Sequence, residues 1–155
     1  VQQKSKWCWA ATALTSGKEA YPNTMRNQAT ICYHVHGNLD NEYASGLGEV
    51  EEAAEFVTYY TSDYTVAENT AQAEFFCGKI LANKVVIMRL SSLDVNGNLT
   101  GYGHLVTVFK TYYPGSGGST IIYFHDPVNG QAYSRTITQL VMGYNNQKYT
   151  GAVYN

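Results

Sequence analysis

The sequence predicts an α+β domain, with helices first and antiparallel strands after them. Three observations carry this. Up to about residue 83, apolar residues recur at helical spacing. From Val85 onward, the pattern changes to short runs rich in Val, Ile and Tyr, bounded by Gly, Pro and Asn. The two regimes follow one another rather than alternating, which argues against a parallel α/β sheet. A chain of 155 residues is long enough for one domain with a real core. The helical part is expected over about 1–83 and the sheet part over about 84–155.

The elements follow in order. Residues 2–6 read as an extended lead-in. Trp7, Ala10, Ala11 and Leu14 then fall at i, i+3, i+4 and i+7, one face of a helix, with Gly17 as its expected stop. Tyr21-Pro22-Asn23-Thr24 is a turn in which Asn23 or Thr24 can cap a short helix from Met25 to about Cys32. Leu47, Val50, Ala53, Ala54 and Val57 mark an amphipathic helix with Glu49, Glu51, Glu52 and Glu55 on its wet side. Residues 59–64 read as loop or irregular strand. Asn69-Thr70-Ala71-Gln72 resembles a capping box ahead of a stripe of Ala73, Phe76, Cys77, Ile80 and Leu81.

Val85 to Leu90 is a buried strand by length and branching. Asn96-Gly97 is a hairpin turn signal. The second strand is expected from His104 to Tyr113, with a glycine-rich loop behind it. The third runs from Thr120 to Asp126 and ends in the Pro127–Gly130 turn. A short helix over Thr136 to Tyr144 and a strand over Lys148 to Tyr154 complete the chain.

Composition narrows the setting. Charged residues make up 14 %, against about 25 % in an average soluble domain. That correlates with a secreted or extracellular protein. A net charge of −2 gives no footprint for nucleic acid. No apolar run approaches the roughly 18 residues of a membrane span. No signal-peptide pattern is present, and the chain opens at Val1 just ahead of Cys8, as a processed mature form or an artificially trimmed chain would. No metal or other cofactor is expected. Cys32, His34 and His36 alternate, but a zinc site wants four ligands at wider spacing. The Asp94–Asn98 segment lacks the glycine position and distal Glu of a calcium loop.

The cysteines carry the chemistry. Cys8 lies near a helix N-terminus, where unpaired N–H groups and the helix dipole favour an anion such as a thiolate. Local features alone leave two readings open, a nucleophile and a buried core thiol. Three is an odd count. If Cys8 is free, Cys32 and Cys77 are either one disulfide or two buried thiols.

Gln2, then five residues, then Cys8 within Trp7-Cys8-Trp9-Ala10-Ala11 resembles the start of the papain-like cysteine peptidases. The likeness is greatest to the bacterial branch that includes the AvrRpt2-type effector proteases and the C39-like double-glycine peptidases. That branch implies a Gly-His-hydrophobic-x-Val motif and then an Asp-Pro, and this chain has Gly103-His104-Leu105-Val106-Thr107-Val108 and Asp126-Pro127 in that order. The resemblance runs nearly end to end. It implies a two-lobed fold, with a helical lobe carrying Cys8, a sheet lobe carrying His104 and Asp126, and a cleft between them. It implies Cys8 as nucleophile, His104 as base and Asp126 as the group orienting the base, with Asn129 as the alternative orienter. It also implies Gln2 as an oxyanion donor beside the Cys8 backbone N–H, Gln3 being the rival. His104 and Asp126 should meet because the start of one hairpin strand lies beside the end of the next. His125 should face the other way, and His34 and His36 lie in the wrong half.

The expected activity is a cysteine endopeptidase working through an acyl-enzyme. A transglutaminase or deamidase using the same triad, and a catalytically silent binding module, remain open. Expected partners are a protein or peptide substrate and a propeptide or inhibitor, with the chain a monomer. The chain departs from plant-type papains, since His104 follows Cys8 by 96 positions rather than the ~130–150 of that group.

Overall fold

The computed structural model describes residues 1–68 and 73–155, so the capping box expected at 69–72 lies outside the described residues. The described chain is α+β. Its helices are α1 (Cys8–Ala20), α2 (Gln28–His36), α3 (Leu47–Val57), α4 (Ala73–Leu81) and α5 (Ile137–Met142). Its strands are β1 (Thr65–Glu68), β2 (Val86–Leu93), β3 (Leu99–Tyr112), β4 (Ile121–His125), β5 (Ala132–Thr136) and β6 (Gln147–Tyr154). They form one antiparallel sheet in the order β1-β6-β2-β3-β4-β5. Among the described residues, no helix is long and apolar enough to cross a membrane.

Both faces of the sheet are covered, which explains why β2 is apolar without alternation. Ile87, Leu105 and Val153 join a core with Trp9, Ala13, Ile31, Val50 and Val57 of α1–α3. Val86, Met88, Val106, Val108 and Phe124 turn to the other side and pack with Phe76 of α4 and Leu140 of α5. Successive residues of a strand serve opposite cores.

Four expectations are corrected. Gly17 does not stop α1, which continues to Ala20. Its missing side chain instead admits α3, since a Cβ there would lie 2.3 Å from Val57 Cγ1. Val57 is fully buried and has no room to give. Gly17→Ala should therefore destabilise by about 1–3 kcal/mol through overpacking, despite alanine's better helix propensity. Thermal unfolding should register a drop of roughly 3–10 °C, and an unchanged melting temperature would contradict the close helix contact.

The second correction concerns α2. It starts at Gln28, capped by Asn27. Asn27 Oδ1 accepts from Thr30 N (3.0 Å), and Asn27 N donates to Thr30 Oγ1 (2.9 Å). Thr24 is buried and its hydroxyl donates to Val57 O (2.7 Å), so it ties the preceding loop to α3 rather than capping. Third, β3 starts at Leu99, five residues before His104, because the hairpin ladder continues to Leu93↔Leu99. Fourth, the lead-in is not extended throughout. It turns at residues 4–7, where Trp7 N donates to Lys4 O (3.0 Å).

β1 and β5 were not singled out as strands. β5 is a largely exposed edge without apolar alternation, and its pairing to β4 from Ile121↔Thr136 to His125↔Ala132 is what makes it a strand. In the α4 stripe, Phe76 is buried while Leu81 is exposed.

Candidate active site

Cys8 is the first residue of α1. The helix has no side-chain cap at Trp7, so its first N–H groups, which have no intrahelical partners, remain directed at whatever lies beyond the tip. Two indole N–H groups fix the surrounding backbone. Trp7 Nε1 donates to Asp40 O (2.9 Å) and Trp9 Nε1 to Glu42 O (3.1 Å). Cys8 itself is buried, only 5 % exposed, and part of the helical core, yet it lines a cleft of about 390 Å³. One wall of the cleft is the start of α1, the 43–46 loop and the first turns of α3. The other is β2 and the opening of β3, with Thr150 of β6. On the sheet side, Arg89 Nε donates to Thr150 Oγ1 (2.8 Å) and its Nη2 to Thr150 O (3.1 Å).

His104 lies within β3, opposite Leu90. Its Nε2 is 2.8 Å from Asp126 Oδ1. Cys8 is the other neighbour that favours the charged imidazole, ahead of Asp126. With Nε2 held by Asp126, Nδ1 is the ring nitrogen left for Cys8. Burial opposes the imidazolium, but the Cys8 hydrogen bond and charge, with the Asp126 charge and hydrogen bond, outweigh it. The His104 pKa therefore ends above its ordinary value of 6.5. Linkage has a definite sign here. This histidine contributes stability that is full below about pH 6.5 and fades as pH rises through the raised value.

Asp126 sits one residue beyond β4 and is itself pinned. Its Oδ1 also accepts from Val128 N (2.9 Å), its N–H donates to Gln131 O (2.9 Å), and its carbonyl accepts from Gly130 N (2.8 Å). Asn129 is turned elsewhere, with Nδ2 donating to the Tyr133 hydroxyl (2.8 Å) and Oδ1 accepting from Gln131 N (2.9 Å). The carboxylate beside His104 is thus that of Asp126, while the Asn129 amide bonds Tyr133 and Gln131. His125 stacks on Phe109, ring centroids 4.2 Å apart.

Gln2 is half-buried, and its Nε2 donates to Lys4 O (2.9 Å) and Ser5 O (2.8 Å). Both amide hydrogens are therefore committed to the turn that leads into α1, while Oε1 is buried without a partner. Gln3 is exposed. The lead-in is fastened at three points. Gln2 N donates to Pro127 O (2.7 Å), Gln28 Nε2 to Val1 O (2.9 Å), and Gln3 N to Gln28 Oε1 (2.8 Å).

Sequence reasoning missed Gln28 and Glu49 as positioning groups. Gln28 is a buried polar residue that clamps the lead-in. Glu49 is not merely a solvated carboxylate. It accepts from Ser45 N (2.7 Å) and Ser45 Oγ (2.6 Å) and lies 3.1 Å from His36 Nε2. Burial would raise its pKa, but these bonds outweigh that and hold it below the usual value. The only sequence hint was Ser45 four residues before Glu49, a helix-start spacing that also fits many unrelated loops.

His34 lies 3.3 Å from Glu52 and stacks on Phe56, remote from the cleft-lining residues. All three cysteines are free thiols, so Cys32 and Cys77 form no disulfide in the structure. Burial pushes the Cys32 thiol up to about 12, so it stays protonated and inert. No protein-family model matches the chain, and a search of curated proteins finds no significant relative.

Proposed function

We propose that the protein is a cysteine endopeptidase of papain-like arrangement. One observation carries the reading: the His104 imidazole meets the Asp126 carboxylate at 2.8 Å and has Cys8 as an electrostatic neighbour, beside a cleft that Cys8 lines. On this reading α1–α3 form the nucleophile's lobe and the sheet forms the base's lobe. A secreted or extracellular setting belongs to the same proposal and rests on the low charge content.

The chemistry follows from the roles. The Cys8 thiolate attacks the scissile carbonyl, and a C–S bond forms as the carbonyl π electrons move to oxygen. As the tetrahedral centre collapses, the C–N bond breaks and the His104 imidazolium gives its proton to the leaving amine. Water then attacks the thioester, His104 takes its proton, and the thiolate departs. Asp126 holds the ring through Nε2, which keeps the tautomer correct for Nδ1 to serve the sulfur.

The oxyanion needs donors. The Cys8 backbone N–H at the uncapped helix tip is one. Gln2, the second by resemblance, serves only if its amide releases Lys4 O or Ser5 O. Gln2→Ala should lower kcat about 10²–10³-fold and also lower the melting temperature slightly, because the amide ties the turn. Gln3→Ala should be mild in both measurements. A Gln2→Ala enzyme that loses only stability would reduce Gln2 to a turn-holding residue.

Peptide release from a denatured-protein substrate or peptide library, assayed beside ammonia release from glutamine-containing peptides, tests the reaction class. Peptide release that disappears in Cys8→Ala supports the proposal. Ammonia release without cleavage assigns the same residues to a deamidase or transglutaminase. Neither activity leaves a binding module.

A further inference from the structure

We infer that Tyr43 and Tyr102 form an aromatic latch across the mouth of the cleft, and that its parting decides which substrates reach Cys8. The inference rests on the reading of Cys8 as nucleophile. Both residues line the cleft, Tyr43 from the helical wall and Tyr102 from the sheet wall. Their ring centroids are 6.1 Å apart and the planes are tilted by 59°. Rings in such contact leave no gap for a polypeptide to pass between them.

The two halves are not equally held. The loop bearing Tyr43 is fastened by the Trp7 and Trp9 indoles to Asp40 O and Glu42 O, and by Ser45 to Glu49. The Lys6 ammonium sits 5.0 Å from the centre of the Tyr43 ring. Tyr102 stands on an irregular piece of β3. The ladder pairs Ser91 with Gly103 and next pairs Leu93 with Leu99, so residues 100–102 bulge opposite Ser92. A bulge re-aims a side chain and loosens the local ladder. Gly101 within it has φ +83°, with open space where a Cβ would be. Tyr102 is 64 % exposed. Tyr102 is therefore the moving half and Tyr43 the fixed half.

A small reagent reaches Cys8 past the closed latch, whereas an extended peptide must displace Tyr102. The test compares two alkylations of Cys8 in the full chain. In each, the thiolate forms a C–S bond and halide leaves with the electrons of the carbon–halogen bond. One reagent is iodoacetamide, the other benzyloxycarbonyl-Phe-Ala chloromethyl ketone. Tyr102→Ala and Tyr43→Ala should raise the chloromethyl ketone rate about three- to tenfold, the scale of one aromatic contact. The iodoacetamide rate should stay within about twofold, and Tyr102→Phe should behave as wild type because the ring contact persists.

Parallel changes in both rates, or an unchanged or slower ketone reaction in Tyr102→Ala, would overturn the latch. Failure of both reagents to label wild-type Cys8 overturns the nucleophile reading and the latch with it. Labelling without peptide hydrolysis removes only the peptidase reading, and the rate ratio still decides the latch.

Discussion

Sub-stoichiometric iodoacetamide should modify Cys8 ahead of the other two cysteines, and activity should fall in proportion to that one adduct. Cys8 lines the cleft and His104, its proposed base, is an electrostatic neighbour. Cys32 is buried in the helical core with its pKa pushed up to about 12, so almost no thiolate is present at neutral pH. Cys8→Ala should be inactive by any turnover assay yet remain folded, since the change removes one sulfur at the end of a helix. Peptide mapping of the alkylated protein locates the adduct. Loss of activity that tracks modification of Cys32 or Cys77 would remove Cys8 from its proposed role.

His104→Ala should be nearly as severe, because the proposed mechanism moves the proton through this imidazole. Asp126→Asn should retain measurable turnover, since an asparagine can still hold the ring through one hydrogen bond while losing the charge. The pH profile separates the two roles. With the His104 pKa raised, kcat/KM should persist above pH 6.5 and fall as pH climbs through the raised value, where the imidazolium is lost. Asp126 supplies two of the influences that raise that pKa. Asp126→Asn should therefore move the basic limb to lower pH as well as reduce its height. A basic limb that does not move in Asp126→Asn would mean that Asp126 only buttresses the turn at 126–130.

What was legible in the sequence depended on short-range rules. The α3 stripe was readable because residues three and four apart share a helix face whatever lies opposite. The β2 run and the Asn96-Gly97 turn were readable because branched residues and left-handed glycines have local preferences. Cys8, His104 and Asp126 were nominated because three motifs occur in a fixed order, so that each raises the weight of the others. Asp126 was expected ahead of Asn129, and it is Asp126 that meets His104, at 2.8 Å.

Most of the illegible parts depend on partners distant in the chain. Gly17 looks like a stop because glycine ends helices locally. Only the approach of Val57 shows that it makes room for a second helix. β5 has no strand pattern of its own and exists because β4 offers an unpaired edge. Gln2 could be assigned an oxyanion role by its spacing to Cys8, but spacing does not reveal that its amide already serves two backbone carbonyls. The sequence by itself determined an α+β order, since periodicity is a property of one chain segment at a time. The tertiary structure decided which groups touch, because the Glu49–His36 contact, the Gln28 clamp and the Tyr43–Tyr102 contact join segments that only folding brings within hydrogen-bond or ring-contact distance.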